Sequence, residues 1–234
     1  MKNSKKYSEN IKKMYRSLKR KYPKIQKVIY DKPVEAVVYA VIAENTNKAT
    51  TASTMKRLEE NFVDFNDLRV ALTDEVLEVL GTDTATTRET ASKLKRILNE
   101  IFNKYNTCSL EFLKKMGKRP AKQILEELDG TSRFIVNYCM LTALQGHSMP
   151  LTSRMVDYLK ANDLVHPNSA IPEIDGFLVR QVTAENGYEF YAILRQESES
   201  TKIVTAKAPA KPKKETTKKV KKAKKVKKTK KAKK

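Results

Sequence analysis

Lysine is the residue whose density and spacing carry the plainest chemistry in this chain. Residues 201–234 hold 17 Lys and one Glu, a net charge of +16. They repeat a Lys-Lys-x unit with Ala, Val and Thr spacers, as in Lys218, Lys219, Lys221, Lys222, Lys224 and Lys225. Amines at that density meet polyanions. Each phosphate they neutralise releases a counterion, so their binding to nucleic acid is non-specific and salt-sensitive. The same charges repel one another and present no apolar face, so the tail reads as disordered. Catalytic constellations are harder to find. Cys108 and Cys139 cannot build a zinc site with His147 and His166 at these spacings, nor a four-Cys iron–sulfur cluster or a disulfide scaffold. The six Gly are scattered singly, which excludes a Gly-rich phosphate loop. No Ser-His-acid arrangement can be placed. The sequence therefore points to no cofactor and no metal.

These residues need a body to position them, and the charge pattern locates it. Residues 1–33 carry 12 basic and two acidic residues, a net +10. Residues 34–200 carry 19 basic and 24 acidic residues, a net −5. A near-neutral body thus lies between two basic segments of a 234-residue chain whose total charge is +21. Apolar residues make up 40%, enough to bury a core. The longest apolar run, Val34 to Ala43, is interrupted by Glu35 and is too short to cross a bilayer. The basic start has no apolar signal-peptide core. The expected location is inside the cell, in cytoplasm, nucleoid or nucleus.

The body reads as all-α. Ile11, Met14, Tyr15 and Leu18 form one stripe of a helix over Ser8–Lys21. Its other face, with Lys12, Lys13, Arg16, Lys19 and Arg20, is either solvated or a phosphate contact. Pro33 opens a helix that is apolar nearly all round and therefore central, ending at Asn45–Asn47. Further helices are expected over Lys48–Phe62, Arg88–Tyr105, Leu110–Met116, Pro120–Leu128, Leu151–Asn162, Pro172–Ala184 and Gly187–Gln196. Asp64, Thr73 and Thr84 are expected N-caps. The run through Leu128 to Gly146 carries most information. There a four-residue turn, Asp129-Gly130-Thr131-Ser132, joins two apolar helices, with Gly130 able to take a positive φ.

Three segments, in order, resemble the helix-hairpin-helix DNA glycosylase superfamily and within it endonuclease III. They are KPVEAVVYAVIAENTN, the run LEFLKKMGKRPAKQILEELDGTSRFIVNYCMLTALQG, and HSMPLTSRMVDYLKANDLV. The resemblance implies a two-lobed helical fold and DNA as a partner, bound largely without regard to sequence. It divides the chain into a basic N-terminal helix (1–32) packing on the second lobe, a lobe with the hairpin (33–148), a second lobe (149–200) and the tail (201–234). The tail's composition also resembles the C-terminal tails of linker histones and nucleoid proteins. In the family, hairpin N–H groups hold one phosphate and a damaged base is flipped out of the duplex. A Lys opening the second hairpin helix attacks the sugar, and an Asp on the next segment assists.

By the same resemblance, this chain departs from that chemistry. The Lys position holds Phe134 and the Asp position holds Thr152. Phe cannot form a Schiff base, and Thr carries no charge to stabilise a cationic sugar. The residue the family inserts into the duplex, a Gln, is Glu44 beside Asn45, and a carboxylate there sits badly against phosphates. Asp129 and Ser132 replace the hairpin's Pro and second Gly; Ser132 can instead cap the next helix. The implied DNA contacts are Gly130, Thr131, Ser132 and Arg133, then Lys118 and Arg119 before the hairpin, and Arg154, which can bind phosphate or pair with Asp157. The leading expectation is a DNA-binding relative without catalysis. One alternative is an active glycosylase with its acid relocated to Glu44, Asp129 or Asp157. Another is an architectural protein that binds mainly by its tail. No obligate protein partner is indicated.

Overall fold

The computed structural model describes residues 4–201. The Lys-rich tail, with Lys218 to Lys225, lies outside the described residues. Among those described there are eleven α-helices and no strand. They are α1 (Ser4–Lys21), α2 (Pro33–Ala43), α3 (Lys48–Asn61), α4 (Phe65–Val70), α5 (Thr73–Leu80), α6 (Ala85–Tyr105), α7 (Lys118–Glu126), α8 (Arg133–Thr142), α9 (Ser153–Ala161), α10 (Ile171–Gln181) and α11 (Gly187–Ser200). The stretch Leu110–Met116 holds only a 3-10 turn, Glu111–Lys115.

Two helices with apolar residues on every side form the centre. In α2 every residue except Glu35 and Tyr39 is buried, and in α8 everything from Phe134 to Thr142 is. A helix without a polar face must be covered all round. Accordingly α2 and α8 pack on each other, with α3 and α6 against α2, and α7 and α11 against α8. Each fully buried aliphatic side chain contributes about 1.5–3 kcal/mol. α4 and α5 lie on the long α6, and α9 lies on α11. One continuous apolar core runs through all of them.

Most helix starts have visible causes. Asp64 accepts from the N–H groups of Asn66 and Asp67, and Thr84 from Thr87, as expected of caps. Thr73 is not a cap. It is the first helical residue of α5, because Glu75 reaches back to the Leu72 N–H at 2.7 Å and fixes the start one residue earlier. α7 begins at Lys118, two residues before the expected Pro120. Pro is tolerated there because first-turn N–H groups have no helical acceptor. Phe102, near the end of α6, is only half-buried, with the Arg69 guanidinium 4.0 Å over its ring.

α1 packs on α10 and α11. Tyr7, Ile11 and Leu18 are buried, and Met14 and Tyr15 are half-buried. Polar ties fix the edges. Tyr15 and Lys19 donate to Glu189 (2.5 and 2.8 Å), Tyr22 and Lys21 to Glu197 (2.7 Å each), and Lys6 to Asp163 (2.6 Å). Burial pushes the Glu189 and Glu197 carboxyls up, but the bonds from these lysines and tyrosines outweigh it and hold both below the ordinary carboxylate range. A carboxylate depressed in the fold stabilises it above its unfolded pKa and stops doing so as pH falls through the folded value. Amide exchange of α1, corrected for intrinsic rates, should therefore accelerate below about pH 4 before that of α2 does. Equal protection of α1 and α2 down to about pH 3 would show that apolar contacts alone hold α1.

Candidate functional site

The turn between α7 and α8 forms a tight hairpin. Gly130 has φ +89°, and a Cβ there would stand 2.8 Å from Arg96 Nε and 3.2 Å from Ile97. Only glycine fits. The Thr131 hydroxyl reaches the Leu125 and Leu128 carbonyls at 2.8 Å. Ser132 caps α8, accepting from Ile135 N–H at 3.3 Å. The first N–H groups of α8, at Arg133 and Phe134, point out of the helix start, where a partial positive charge favours anions. Asp129 faces Arg96 across 3.6 Å, so its charge is balanced locally in an exposed pair.

The cations assigned to DNA divide into committed and free. Arg133 is exposed but not free. It makes a two-point contact with Asp175 of α10 (Nε 2.8 Å and guanidinium N 2.7 Å). Asp175 is buried and also accepts from Asn137 at 2.9 Å, so Arg133 balances a charge the core cannot leave alone. Arg154 does not pair with Asp157. It caps the end of α11, donating to the carbonyls of Ser198 (2.7 Å), Glu199 (3.0 Å) and Thr201 (3.2 Å), where a helix end attracts a cation. The Lys118 amine donates to the Leu144 carbonyl. Arg119 is exposed, as are Lys12, Lys13, Arg16 and Arg20 on the outer face of α1. None of these five has an acidic partner among the described residues.

Between the α2–α3 corner and the start of α9 lies a cleft of about 360 Å³. Glu44, Asn45, Thr46 and Asn47 form one side, Thr152, Ser153 and Arg154 another, and Glu199 closes it. Thr152 caps α9, accepting from Met155 N–H at 3.3 Å. Glu44 does not present a bare carboxylate. Lys93 of α6 holds it at 3.0 Å, and both side chains are over four-fifths buried. Arg195 clasps the corner from α11. Its guanidinium is 4% exposed and donates to the Ala43 and Thr46 carbonyls (3.1 and 3.0 Å), the Tyr191 hydroxyl and Glu199 (2.8 Å each). Glu199 in turn accepts from the Lys48 N–H at 3.1 Å. Burial works against the charge on Arg195, but Tyr191 and Glu199 overcome it and raise its pKa above the ordinary value.

Phe134 does not line that cleft. Its ring is 4% exposed and stacks on Tyr138 (6.0 Å, 24°), which stacks on Tyr39 (5.1 Å, 14°) and meets Tyr191 edge-on. Burial pushes the Tyr138 and Tyr191 phenols far up, so they stay neutral. The space among Tyr39, Tyr138, Tyr188 and Tyr191 is about 30 Å³. That is room for a water and too little for a nucleobase.

No family model matches the sequence, and no curated protein does. Solved structures do match the fold. A trapped endonuclease III–DNA covalent intermediate aligns with TM-score 0.65 at 14% identity, over 80% of this chain and 84% of that one. The chain has the endonuclease III fold. The Clostridium acetobutylicum 8-oxoguanine glycosylase/lyase bound to duplex DNA gives 0.64 at 14% identity, covering 85% of this chain and 71% of that one. A thermostable thymine-DNA glycosylase gives 0.60 at 14%, covering 88% and 91%. Within this endonuclease III fold, sequence reasoning missed Lys93, Arg195 and Glu199. The i,i+4 spacing of Arg195 and Glu199 was a usable signal, whereas nothing in the sequence ties Lys93 to Glu44.

Proposed function

We propose that the protein binds duplex DNA at abasic or damaged positions and leaves the strand uncut. The fold likeness to DNA-bound glycosylases supports duplex DNA as the partner. The α8 N-terminus at the hairpin, Arg119 and the outer face of α1 supply contacts to phosphate, and the lysine tail adds a non-specific, salt-dependent contribution. The observation that carries the absence of cutting is the employment of Phe134 and Thr152. One is a stacked core aromatic and the other a helix cap, so neither presents an amine or a carboxylate to the cleft. Glu44 and Glu199, the carboxylates that do line it, are already held by Lys93 and Arg195.

The test compares the full chain on a duplex with one tetrahydrofuran abasic analogue and on the same duplex intact. Binding at least about tenfold tighter to the abasic duplex, 1.4 kcal/mol, is expected, with no nicking of a true abasic site. Equal affinities would reduce the protein to an electrostatic DNA binder. Nicking abolished by Glu44→Gln would make it an enzyme.

A further inference from the structure

Acidic residues are not spread evenly over the body. From Glu59 to Glu89 there are nine acidic residues and two basic ones, a net −7. Both basic residues are engaged: Arg88 pairs with Asp83, and Arg69 bonds Asn66 and covers Phe102. The same stretch holds three large apolar side chains that stay in solvent, Val63 at 95% exposure, Leu72 at 68% and Val70 at 59%. Single exposed apolar residues need no explanation. Three within ten residues, beside an apolar cleft, mark a contact surface.

The cleft measures about 230 Å³ and lies where α2, α3 and the start of α4 meet. Met55, Phe62, Val63 and Phe65 are among its apolar walls. Glu35, Glu59 and Asp64 stand around it against one cation, Lys32. Neither Glu35 nor Glu59 has an ion-pair partner among the described residues. Burial, and then the neighbouring Glu59, push the Glu35 carboxyl above its ordinary value. A cation entering the cleft would relieve that repulsion. A second cleft that Phe62 also lines, about 510 Å³, carries Asp67, Glu75 and Glu78 against one cation, Arg57.

We propose that this face docks a lysine- or arginine-rich segment of a partner protein, with one apolar side chain in the smaller cleft and the flanking cations on Glu35 and Glu59. Charge complementarity selects that occupant. Phosphates of nucleic acid or lipid are repelled by a surface of this sign. No group of three His, Cys, Asp or Glu among the described residues is placed to hold a metal ion. The apolar walls require more than charge, and a narrow cleft beside carboxylates suits an extended segment carrying both kinds of side chain. The docking face uses α2 to α5, none of which belongs to the hairpin or to α1, so its failure and that of DNA binding are separately measurable.

The test uses the full chain and a fluorescein-labelled peptide whose order does not occur in this sequence, Arg-Lys-Val-Arg-Lys-Ser-Arg-Lys-Val-Arg-Lys, titrated at about 50 mM salt. The Glu35→Gln/Glu59→Gln double variant is expected to bind it about tenfold more weakly at unchanged melting temperature. Changing both peptide valines to serine, at constant charge, is expected to weaken binding about fivefold. A benzoylphenylalanine replacing one valine should crosslink to Met55, Phe62, Val63 or Phe65. Equal binding by the double variant, indifference to the valines, no peptide binding, or crosslinks confined to other residues would each overturn the proposal.

Discussion

Arg195→Met should lower the unfolding free energy by about 3–5 kcal/mol, the usual cost of breaking a buried ionic network by removing one partner. The magnitude follows from what the guanidinium serves. It is the donor for two carbonyls of the α2–α3 corner, Ala43 and Thr46, and for the Tyr191 hydroxyl; the bonds to Ala43 and Tyr191 are buried and the one to Thr46 partly so. Methionine fills the volume but satisfies none of them, and each stranded buried acceptor costs about 1–3 kcal/mol. Glu199 suffers less, since part of its side chain is exposed and can rehydrate. For a body of this size the loss appears as a melting temperature about 10 °C lower. The effect is also local. Amide exchange at Glu44–Lys48 should rise further than at α6, because the clasp is the polar connection between that corner and α11. Urea unfolding and exchange together check it. A loss under about 1 kcal/mol, with corner amides still protected, would mean that packing alone fixes the corner.

The clasp also shows what kind of information the sequence carries. Helices are legible because their signals are local. The apolar run Val34–Ala43 announces burial on nearly every side, and it is a central helix; Phe134–Leu141, legible only as apolar, proves to be the other. Gly130 is legible because a four-residue turn between apolar helices needs a positive φ, and it has one. Ser132 is recognisable as a cap from its place alone. Charged side chains are another matter. Chain position does not disclose what Arg133, Arg154 and Glu44 bond within the fold, and for Arg154 the neighbouring Asp157 is not the partner. Their partners, Asp175, the end of α11 and Lys93, lie 42 to 49 residues away in sequence. A single sequence has no term for such pairings. A buried acid such as Asp175 creates the demand, and the fold decides which cation meets it. The start of α5 differs from expectation for a similar cause on a smaller scale. Thr73 has the right type for a cap, but the reach of Glu75 to Leu72 decides the boundary.

Phe134→Lys should destabilise the protein by about 4 kcal/mol or more and should not restore a nucleophile, even when paired with Thr152→Asp. Truncating a buried Phe costs about 3–5 kcal/mol by itself. Lysine recovers some of that volume with its stem, but its amine must then either carry an unpaired charge among Tyr138 and Tyr39 or give up its proton. Thr152→Asp is a different case. Asp caps a helix start as well as Thr does, so this change alone should move stability by less than about 1 kcal/mol. The two substitutions therefore separate the roles of their sites. With a true abasic duplex and borohydride, which reduces an imine to a stable amine, the double variant should give no adduct from position 134. Its side chain is buried against Tyr138 and is not among the residues that line the cleft of Glu44, Thr152 and Glu199. An adduct trapped on the introduced lysine, with near-native stability, would reverse this conclusion. It would place position 134 within reach of a bound sugar and reduce the loss of chemistry to two side chains on an otherwise competent site.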